Sequence, residues 1–158
     1  MTRLDSIIGH PDFVEAGERI RESEKDRIYC RHDLQHSLDV ARIAWIMALE
    51  QKLGDVKELI YAAALLHDMG RYQSEDDLTG HQERSAHLAA SILKDSGFSE
   101  EETALILSMI RGHRKGEGQE GLAAIFYEAD KASRLCFDCQ AFDSCYWPED
   151  KKNLRIRI

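Results

Sequence analysis

The chain has 158 residues, of which 43% are hydrophobic and 32% charged, and its formal net charge is −8. This composition excludes a disordered or fibrous protein, and the length suits one domain with a real core. A chain this acidic lacks the overall positive field that holds polymeric nucleic acid or an anionic membrane. The longest apolar run, 59–66, is too short to cross a membrane, and the first residues show no apolar secretory signal. We therefore predict a cytoplasmic protein without membrane or nucleic-acid-polymer partners.

Glycines and apolar periodicity divide the chain into helical segments, and strand-like alternation is absent from the sequence pattern. Asp33 can cap a helix, and both Asp55 with Glu58 and Ser99 with Glu102 have the spacing of capping boxes. We predict an all-α fold, a compact bundle of about six helices with short connections. The predicted helices span residues 12–24, 34–53, 56–69, 81–95, 100–113 and 120–135.

Polar residues occupy the apolar faces of five predicted helices. Each of the five lies in register with apolar residues of its own helix: His36, His67, His81, His113 and Asp130. Asp68 follows His67 at a predicted helix end, where the partial negative charge of the helix favours a cation. His87, by contrast, is predicted to face outward. The pattern therefore points six metal-ligating side chains into the bundle.

The inward residues are explained better as a set than one by one. A single histidine on an apolar face is most often a hydrogen-bonded core residue. Carboxylates at Asp68 and Asp130, however, are costly to bury without a cation or a proton, and the imidazoles need the same partner. A shared divalent metal meets both needs. Nitrogen and carboxylate ligands without thiolate suit Mn, Fe, Co, Ni or Zn.

Five motifs in these segments resemble those of the HD-domain metal-dependent phosphohydrolases. They are His36-Ser-Leu-Asp-Val-Ala, Ala-Leu-Leu-His67-Asp68-Met-Gly-Arg71, His81 before Ser85-Ala86, Ile110-Arg-Gly-His113 and Glu-Ala-Asp130-Lys131, spanning roughly residues 28–135. The resemblance implies one divalent ion held by His36, His67, Asp68 and Asp130. It further implies that His81 and His113 add a second ion in two-metal subfamilies, with Asp68 as the bridge. The motif of the cyclic-dinucleotide phosphodiesterases is missing.

The implied reaction is hydrolysis of a phosphate ester or anhydride by metal-activated water. Asp68 and Arg71 are the predicted catalytic residues, and the substrate is predicted to be small and soluble, a nucleotide in the first instance. The predicted substrate-binding residues are Arg71, Lys131, Arg134 and His32. Further positive charges near His113 are Arg111, Arg114 and Lys115, while Asp76 and Asp77 could supply acid–base chemistry.

Two other functions would also use a helical bundle with inward ligands. A ferritin-like di-iron oxidase needs Glu-x-x-His motifs, which the sequence lacks. A non-catalytic metal or nucleotide sensor would keep the same ligands and stays open as the alternative.

The cysteines form a separate signal. Cys136, Cys139 and Cys145 give a C-x2-C-x5-C pattern after the last predicted helix, and Cys30 precedes the first motif. These thiols could hold structural zinc or an iron–sulfur cluster, or they could pack with aromatic residues as a C-terminal clasp. We predict a phosphohydrolase domain over residues 1–135 and a Cys-rich tail over residues 136–158 packed on the same domain.

Overall fold

A computed structural model describes residues 2–72, 80–116 and 118–157, and these form seven α-helices and no strand. The all-α prediction is therefore confirmed. The helices are α1 (Arg3–Gly9), α2 (Pro11–Ser23), α3 (Leu34–Glu50), α4 (Lys57–Leu66), α5 (His81–Asp95), α6 (Glu100–Gly112) and α7 (Gly121–Ala132). Short 3-10 turns cover Met69–Tyr72, Cys136–Asp138 and Glu149–Lys151. Within the described residues, no helix is both long and apolar enough to span a bilayer.

Helix α1 is an addition to the predicted helices. Its start is fixed by a reciprocal capping box, in which Thr2 accepts from the amide of Asp5 and Asp5 accepts from the amide of Thr2. At seven residues it is too short to show a clear apolar period. Local capping therefore identifies this helix where periodicity does not.

Two of the predicted helix starts are confirmed by their caps. The Asp33 carboxylate accepts from the amide of His36 at 3.0 Å at the start of α3. Ser99 and Glu102 form the predicted capping box at the start of α6. Each cap satisfies amides that have no partner inside the helix.

The predicted capping box of Asp55 and Glu58 is wrong. Helix α4 begins at Lys57 behind Val56, which makes no side-chain cap hydrogen bond to any described residue. The Glu58 carboxylate instead accepts from Arg3 at 2.7 Å and ties α1 to α4. A long-range ion pair has replaced the local contact that the spacing suggested.

Helix α4 lies at the centre of the bundle. Seven of its ten residues are buried, and it packs against α1, α3, α5 and α6. Helix α7 completes the core by packing against α3 and α6. This arrangement brings the C-terminal ends of α4 and α6 close to the N-terminal end of α5.

The segment after α7 folds back on that helix. Asn153 is buried, and its side-chain amide donates to the carbonyl of Lys131 at 2.8 Å and to that of Arg134 at 2.9 Å. These bonds satisfy carbonyls at the end of α7 that have no partner within the helix. The domain boundary at residue 135 stays a prediction.

Candidate metal centre and substrate cavity

The six predicted metal ligands meet at one end of the bundle. His36 lies in the first turn of α3, His81 begins α5, and Asp130 lies in the last turn of α7. His67 and His113 each follow directly on a helix end, of α4 and α6 respectively. The exposed fractions of His67, Asp68, His113 and Asp130 are 0%, 4%, 2% and 8%. Four of the six residues are therefore buried.

One group of ligand atoms is formed by His36, His67 and Asp68, whose ligating atoms all lie within 4.8 Å of one another. Asp68 Oδ2 lies 3.0 Å from His67 Nε2 and 3.5 Å from His36 Nε2. Asp130 approaches from α7, with its Oδ1 atom 3.3 Å from His36 Nε2 and 3.9 Å from His67 Nε2. Two carboxylates thus face the same pair of imidazoles.

A second group is formed by Asp68, His81 and His113, again within 4.8 Å. Asp68 Oδ1 lies 3.3 Å from His81 Nε2 and 3.7 Å from His113 Nε2. The two ring nitrogens are 3.0 Å apart. Asp68 therefore turns one oxygen toward each group, which is the position that a bridging carboxylate needs.

The backbone sets the tautomer of the two buried rings. His67 Nδ1 lies 2.8 Å from the carbonyl oxygen of Ala64, and His113 Nδ1 lies 2.6 Å from that of Ile110. Because a carbonyl can only accept, Nδ1 donates in each ring, and in the neutral ring the Nε2 lone pair faces the cluster. This is the arrangement of a metal-binding histidine.

Unpartnered nitrogen atoms show that the cluster fits a metal ion. His36 Nε2 and His67 Nε2 are buried and have no hydrogen-bond partner among the described residues. Both atoms lie close to carboxylate oxygens, but not with hydrogen-bond geometry. An unprotonated nitrogen that faces a carboxylate in a buried place is costly unless a proton or a metal ion lies between them. The residues present therefore suit a divalent ion bound by nitrogen and oxygen.

The ionisation states of the cluster residues also bear on metal binding. Burial opposes the charge on Asp68, yet the nearby imidazoles of His67, His36 and His81 hold its pKa well below the usual range. Burial, with the nearby His67, lowers the pKa of His113 to about 3. Burial likewise lowers the pKa of His36, but Asp130 and Asp68 outweigh it and raise that pKa to about 9. The Asp68 carboxylate is ionised and His113 is neutral, as metal ligands must be, whereas His36 is protonated near neutral pH and would give up its proton when a metal ion binds.

A cavity of about 290 Å³ opens beside the cluster and is rich in cationic side chains. Its basic lining residues are Arg27, Arg31, Arg71, Arg114, Lys131 and Arg134. Arg71 is nearest to the cluster, with Nη1 3.2 Å from His81 Nε2 and 3.7 Å from Asp68 Oδ1. Four aspartates, Asp33, Asp39, Asp68 and Asp130, also line the cavity, so the basic residues outnumber the acidic ones. A net positive lining in a chain of net charge −8 favours an anion.

Two other predicted substrate-binding residues, Lys131 and Arg134, line this cavity, and their cationic groups make different contacts. The Lys131 ammonium donates to the Asp130 carboxylate and to the carbonyl of His113 at 3.2 Å. The Asp130 carboxylate of the cluster therefore neutralises part of the positive charge of Lys131. The Arg134 guanidinium lies over the Trp147 ring at 4.3 Å, which holds it at the cavity wall.

Some of the predicted residues are not brought to the cavity. Arg111 forms an exposed ion pair with Glu83 at 3.0 Å, and neither Arg111 nor Lys115 is among the described lining residues. The outward direction of Arg111 follows from its position in α6, one residue past the buried Ile110. Asp76 and Asp77 lie outside the described residues.

Glu24 is a site residue that the sequence analysis missed. His32 lines the cavity, and both its amide and its ring Nδ1 donate to the Glu24 carboxylate. Burial alone raises the pKa of Glu24, but these bonds from His32 bring it below its usual value. The same carboxylate lies 4.0 Å from Arg71 Nε. Glu24 therefore positions two cavity residues, although no motif or periodicity marks it.

All four cysteines line a second cavity of about 240 Å³. It shares Cys30, Arg134, Leu135 and Trp147 with the substrate cavity. The structure thus brings Cys30 to the thiols of the tail, as the sequence analysis considered.

Comparisons with known proteins agree with this site. A family model described as HD domain matches residues 33–135. A protein of Clostridium beijerinckii described as uncharacterized is 40% identical over 156 residues, which is 99% of both chains. Ribonuclease Y of Enterococcus faecalis is 34% identical over 87 residues, 55% of this chain and 16% of that protein. Ribonuclease Y of Bacillus subtilis is 28% identical over 123 residues, 78% of this chain and 21% of that protein. The chain thus spans only a minor part of these ribonucleases. No solved structure gave a significant match.

Proposed function

This chain belongs to the HD-domain family, whose members are generally metal-dependent hydrolases, and from that membership we propose its reaction. We propose that it hydrolyses phosphate esters or anhydrides of small soluble substrates, with nucleotides as the preferred class. The proposed metals are Mn, Fe, Co, Ni or Zn, in one or two ions per chain. The proposed location is the cytoplasm.

The observation that carries the proposal is the position of Asp68 between two groups of imidazoles. Its Oδ2 atom faces His36 and His67, and its Oδ1 atom faces His81 and His113. When bound, a divalent metal supplies a water of lowered pKa and polarises a phosphoryl oxygen. The side chains themselves hold imidazole nitrogens and ionised carboxylate oxygens toward one point, with Asp130 as a second carboxylate.

The charge of the cavity supports a phosphorylated substrate. Arg71 lies at the edge of the cluster, where its guanidinium can neutralise charge that develops on a transferring phosphoryl group. Arg134 and Arg114 lie further along the cavity wall and suit additional phosphates. A volume of about 290 Å³ is at the small end of ligand sites and suits one small molecule.

A second candidate substrate is an RNA phosphodiester. The relatives named ribonuclease Y favour it, although this chain covers only 16% and 21% of the two described above. We place it second because the net charge of −8 disfavours binding to a long polyanion outside the cavity. A sensor that binds metal and nucleotide without turnover is the non-enzymatic alternative.

Metal analysis combined with a substrate panel tests the proposal. Untagged protein is loaded with Mn, Fe, Co, Ni or Zn, and product release is followed with nucleotides, monophosphates, phosphodiesters and a short RNA. The key variant is Asp68→Asn, which keeps the side-chain shape and removes the charge. Asp95→Asn is the matched control, because Asp95 is an exposed carboxylate that contacts His10 near the end of α5.

We expect turnover of at least one nucleotide by the wild type and by Asp95→Asn, and loss of both metal and turnover in Asp68→Asn. Cleavage of RNA alone would replace the nucleotide proposal with the second candidate. Binding of nucleotide without turnover under every metal would establish the sensor. Full metal content and turnover in Asp68→Asn would refute the site.

A further inference from the structure

Four cysteines from two distant parts of the chain line a single cavity. Cys30 lies in the connection before α3, whereas Cys136, Cys139 and Cys145 lie in the segment after α7. More than 100 residues of sequence separate Cys30 from the others, so their meeting is a product of the tertiary fold. All four are free thiols, with no disulfide in the described chain.

Backbone turns hold the three cysteines of the tail around the cavity. The amide of Cys139 donates to the carbonyl of Cys136 at 3.2 Å, and that of Phe142 donates to Cys139 at 3.1 Å. The amide of Cys145 continues the series to Phe142 at 3.4 Å. Between Cys136 and Cys145 the described chain has one 3-10 turn and no other helix or strand. The successive turns bring the three cysteines to the same cavity.

A side-chain contact fixes the Cys30 segment against the tail. The Tyr29 hydroxyl donates to the carbonyl of Ser144 at 3.2 Å, next to Cys145. Arg27 Nε donates to the carbonyl of Cys30 at 2.7 Å and fixes the backbone on the other side. The fourth thiol is therefore held in place by neighbours on both sides.

The cavity suits negatively charged thiolates. Arg134 and Lys152 line it, and Lys152 also donates to the carbonyl of Phe142 at 2.8 Å. All four cysteines line the one cavity, and without a further cation their ionised forms would repel one another.

The spacing of the sulfur atoms discriminates between two kinds of metal centre. A single tetrahedral zinc ion with Zn–S bonds of about 2.3 Å places its sulfur ligands roughly 3.8 Å apart. All four cysteines lie in described segments, yet no three of their sulfur atoms come within 4.8 Å of one another. A [4Fe–4S] cluster holds its four thiolates further apart than a zinc ion does, because each thiolate binds a different iron atom of the core.

We propose that Cys30, Cys136, Cys139 and Cys145 bind an iron–sulfur cluster in this cavity. The volume of about 240 Å³ gives room for a polynuclear core, and the aromatic rings of Phe142 and Trp147 cover it. The four thiolates exceed the positive charge of the core. Arg134 and Lys152 offset part of the remaining negative charge, to which Asp138 in the same lining adds.

The cluster would be next to the substrate cavity. Cys30, Arg134, Leu135 and Trp147 belong to the walls of both cavities. Occupancy of the thiol site would therefore fix the position of the Arg134 guanidinium, which stacks on Trp147 at 4.3 Å. The cluster site itself does not depend on the proposed hydrolase activity.

The test is chemical analysis of full-length protein purified without oxygen. Iron and acid-labile sulfide are measured per chain, together with the visible absorption of the sulfide-to-iron chromophore. The wild type is compared with a double variant, Cys136→Ser with Cys139→Ser, and with a single variant, Cys30→Ser. The single variant keeps the test decisive if the double variant fails to fold, as judged by circular dichroism. Asp68→Asn is the matched control for iron bound at the histidine cluster, which carries no sulfide.

We expect the wild type and Asp68→Asn to contain the same amount of acid-labile sulfide and to show the same visible absorption, and we expect both cysteine variants to lose both signals. Zinc without sulfide, lost in the cysteine variants, would overturn the assignment of an iron–sulfur cluster in favour of a single-ion site. Metal content unchanged by either cysteine variant would overturn the thiol site altogether and leave an aromatic clasp.

Discussion

Replacing Gly70 with alanine would insert a methyl group into the closest contact between the Asp68 turn and helix α5. A Cβ atom at Gly70 would lie 2.6 Å from the amide nitrogen of Ser85 and 2.8 Å from the carbonyl oxygen of His81. Both contacts are with backbone, which cannot rotate away. The start of α5, which carries His81, would have to move instead.

The size of the effect follows from these distances. Ordinary contact begins at 3.4 Å, so the first turn of α5 must retreat by about 0.6–0.8 Å. Overpacking of this kind costs about 1–3 kcal/mol. Two hydrogen bonds are strained as well: a buried one from the amide of Gly70 to Ser85 Oγ at 2.9 Å, and a partly buried one from Arg84 Nε to the carbonyl of Gly70 at 3.0 Å. In a domain of this size each kcal/mol lowers Tm by about 2–4 °C, so we expect a fall of roughly 2–12 °C.

Thermal unfolding and metal titration of the same samples measure the two consequences. We expect Gly70→Ala to lower Tm and to weaken metal binding by the group that contains His81 more than by the group that contains His36. Gly17→Ala is the matched control, because in α2 a Cβ would meet only Arg21 Nη1, at 3.6 Å. That control should gain about 0.5–1 kcal/mol, since alanine is the better helix former. A Gly70→Ala protein with wild-type Tm and wild-type metal binding would refute the reasoning.

Three further predictions concern the site and its frame. His113→Ala should lower bound metal from two ions per chain toward one, as measured by elemental analysis under saturating Mn; a wild-type ratio of one would contradict it. Arg71→Ala should lower kcat/KM by about 10²-fold and leave metal content unchanged, whereas loss of metal would assign Arg71 a structural role. Arg3 lowers the pKa of Glu102 from 4.5 to about 2, so their pair stabilises the fold above pH 4.5 and loses that effect as the pH falls toward 2. Arg3→Met should therefore lower Tm at pH 7 and approach the wild type near pH 2, and a constant difference in Tm would refute the pairing.

The sequence predicts the helices well where an apolar period is long. The predicted 81–95 and 100–113 correspond to His81–Asp95 and Glu100–Gly112. The predicted helix over 56–69 is shorter in the structure, because α4 ends at Leu66 and a 3-10 turn begins at Met69. That break frees His67 and Asp68 from the regular helix and turns both toward the cluster. Periodicity alone does not show a change of helix type within an apolar run.

The helical register in the sequence predicts which side chains point into the bundle, but not which residues each of them contacts. His67 and Asp130 are buried, and His87 is exposed, as their register indicates. Glu24 was not identified because it lies at the end of α2, outside any apolar stripe, and reaches His32 only after the chain has turned back. A carboxylate that acts across a loop leaves no periodic signal in the sequence.

Two of the four cluster histidines, His67 and His113, are anchored by hydrogen bonds to the ends of their own helices, and the other two are not. His67 and His113 cannot turn without breaking a buried bond to Ala64 or Ile110, so their orientation is fixed when the chain folds. His36 and His81 are only half-buried and have no such anchor among the described backbone carbonyls. When a metal ion binds, the side chains of His36 and His81 therefore lose more conformational entropy than those of His67 and His113. Ions of different radius should be accommodated by movements of α3 and of the start of α5, while the ends of α4 and α6 keep a constant geometry.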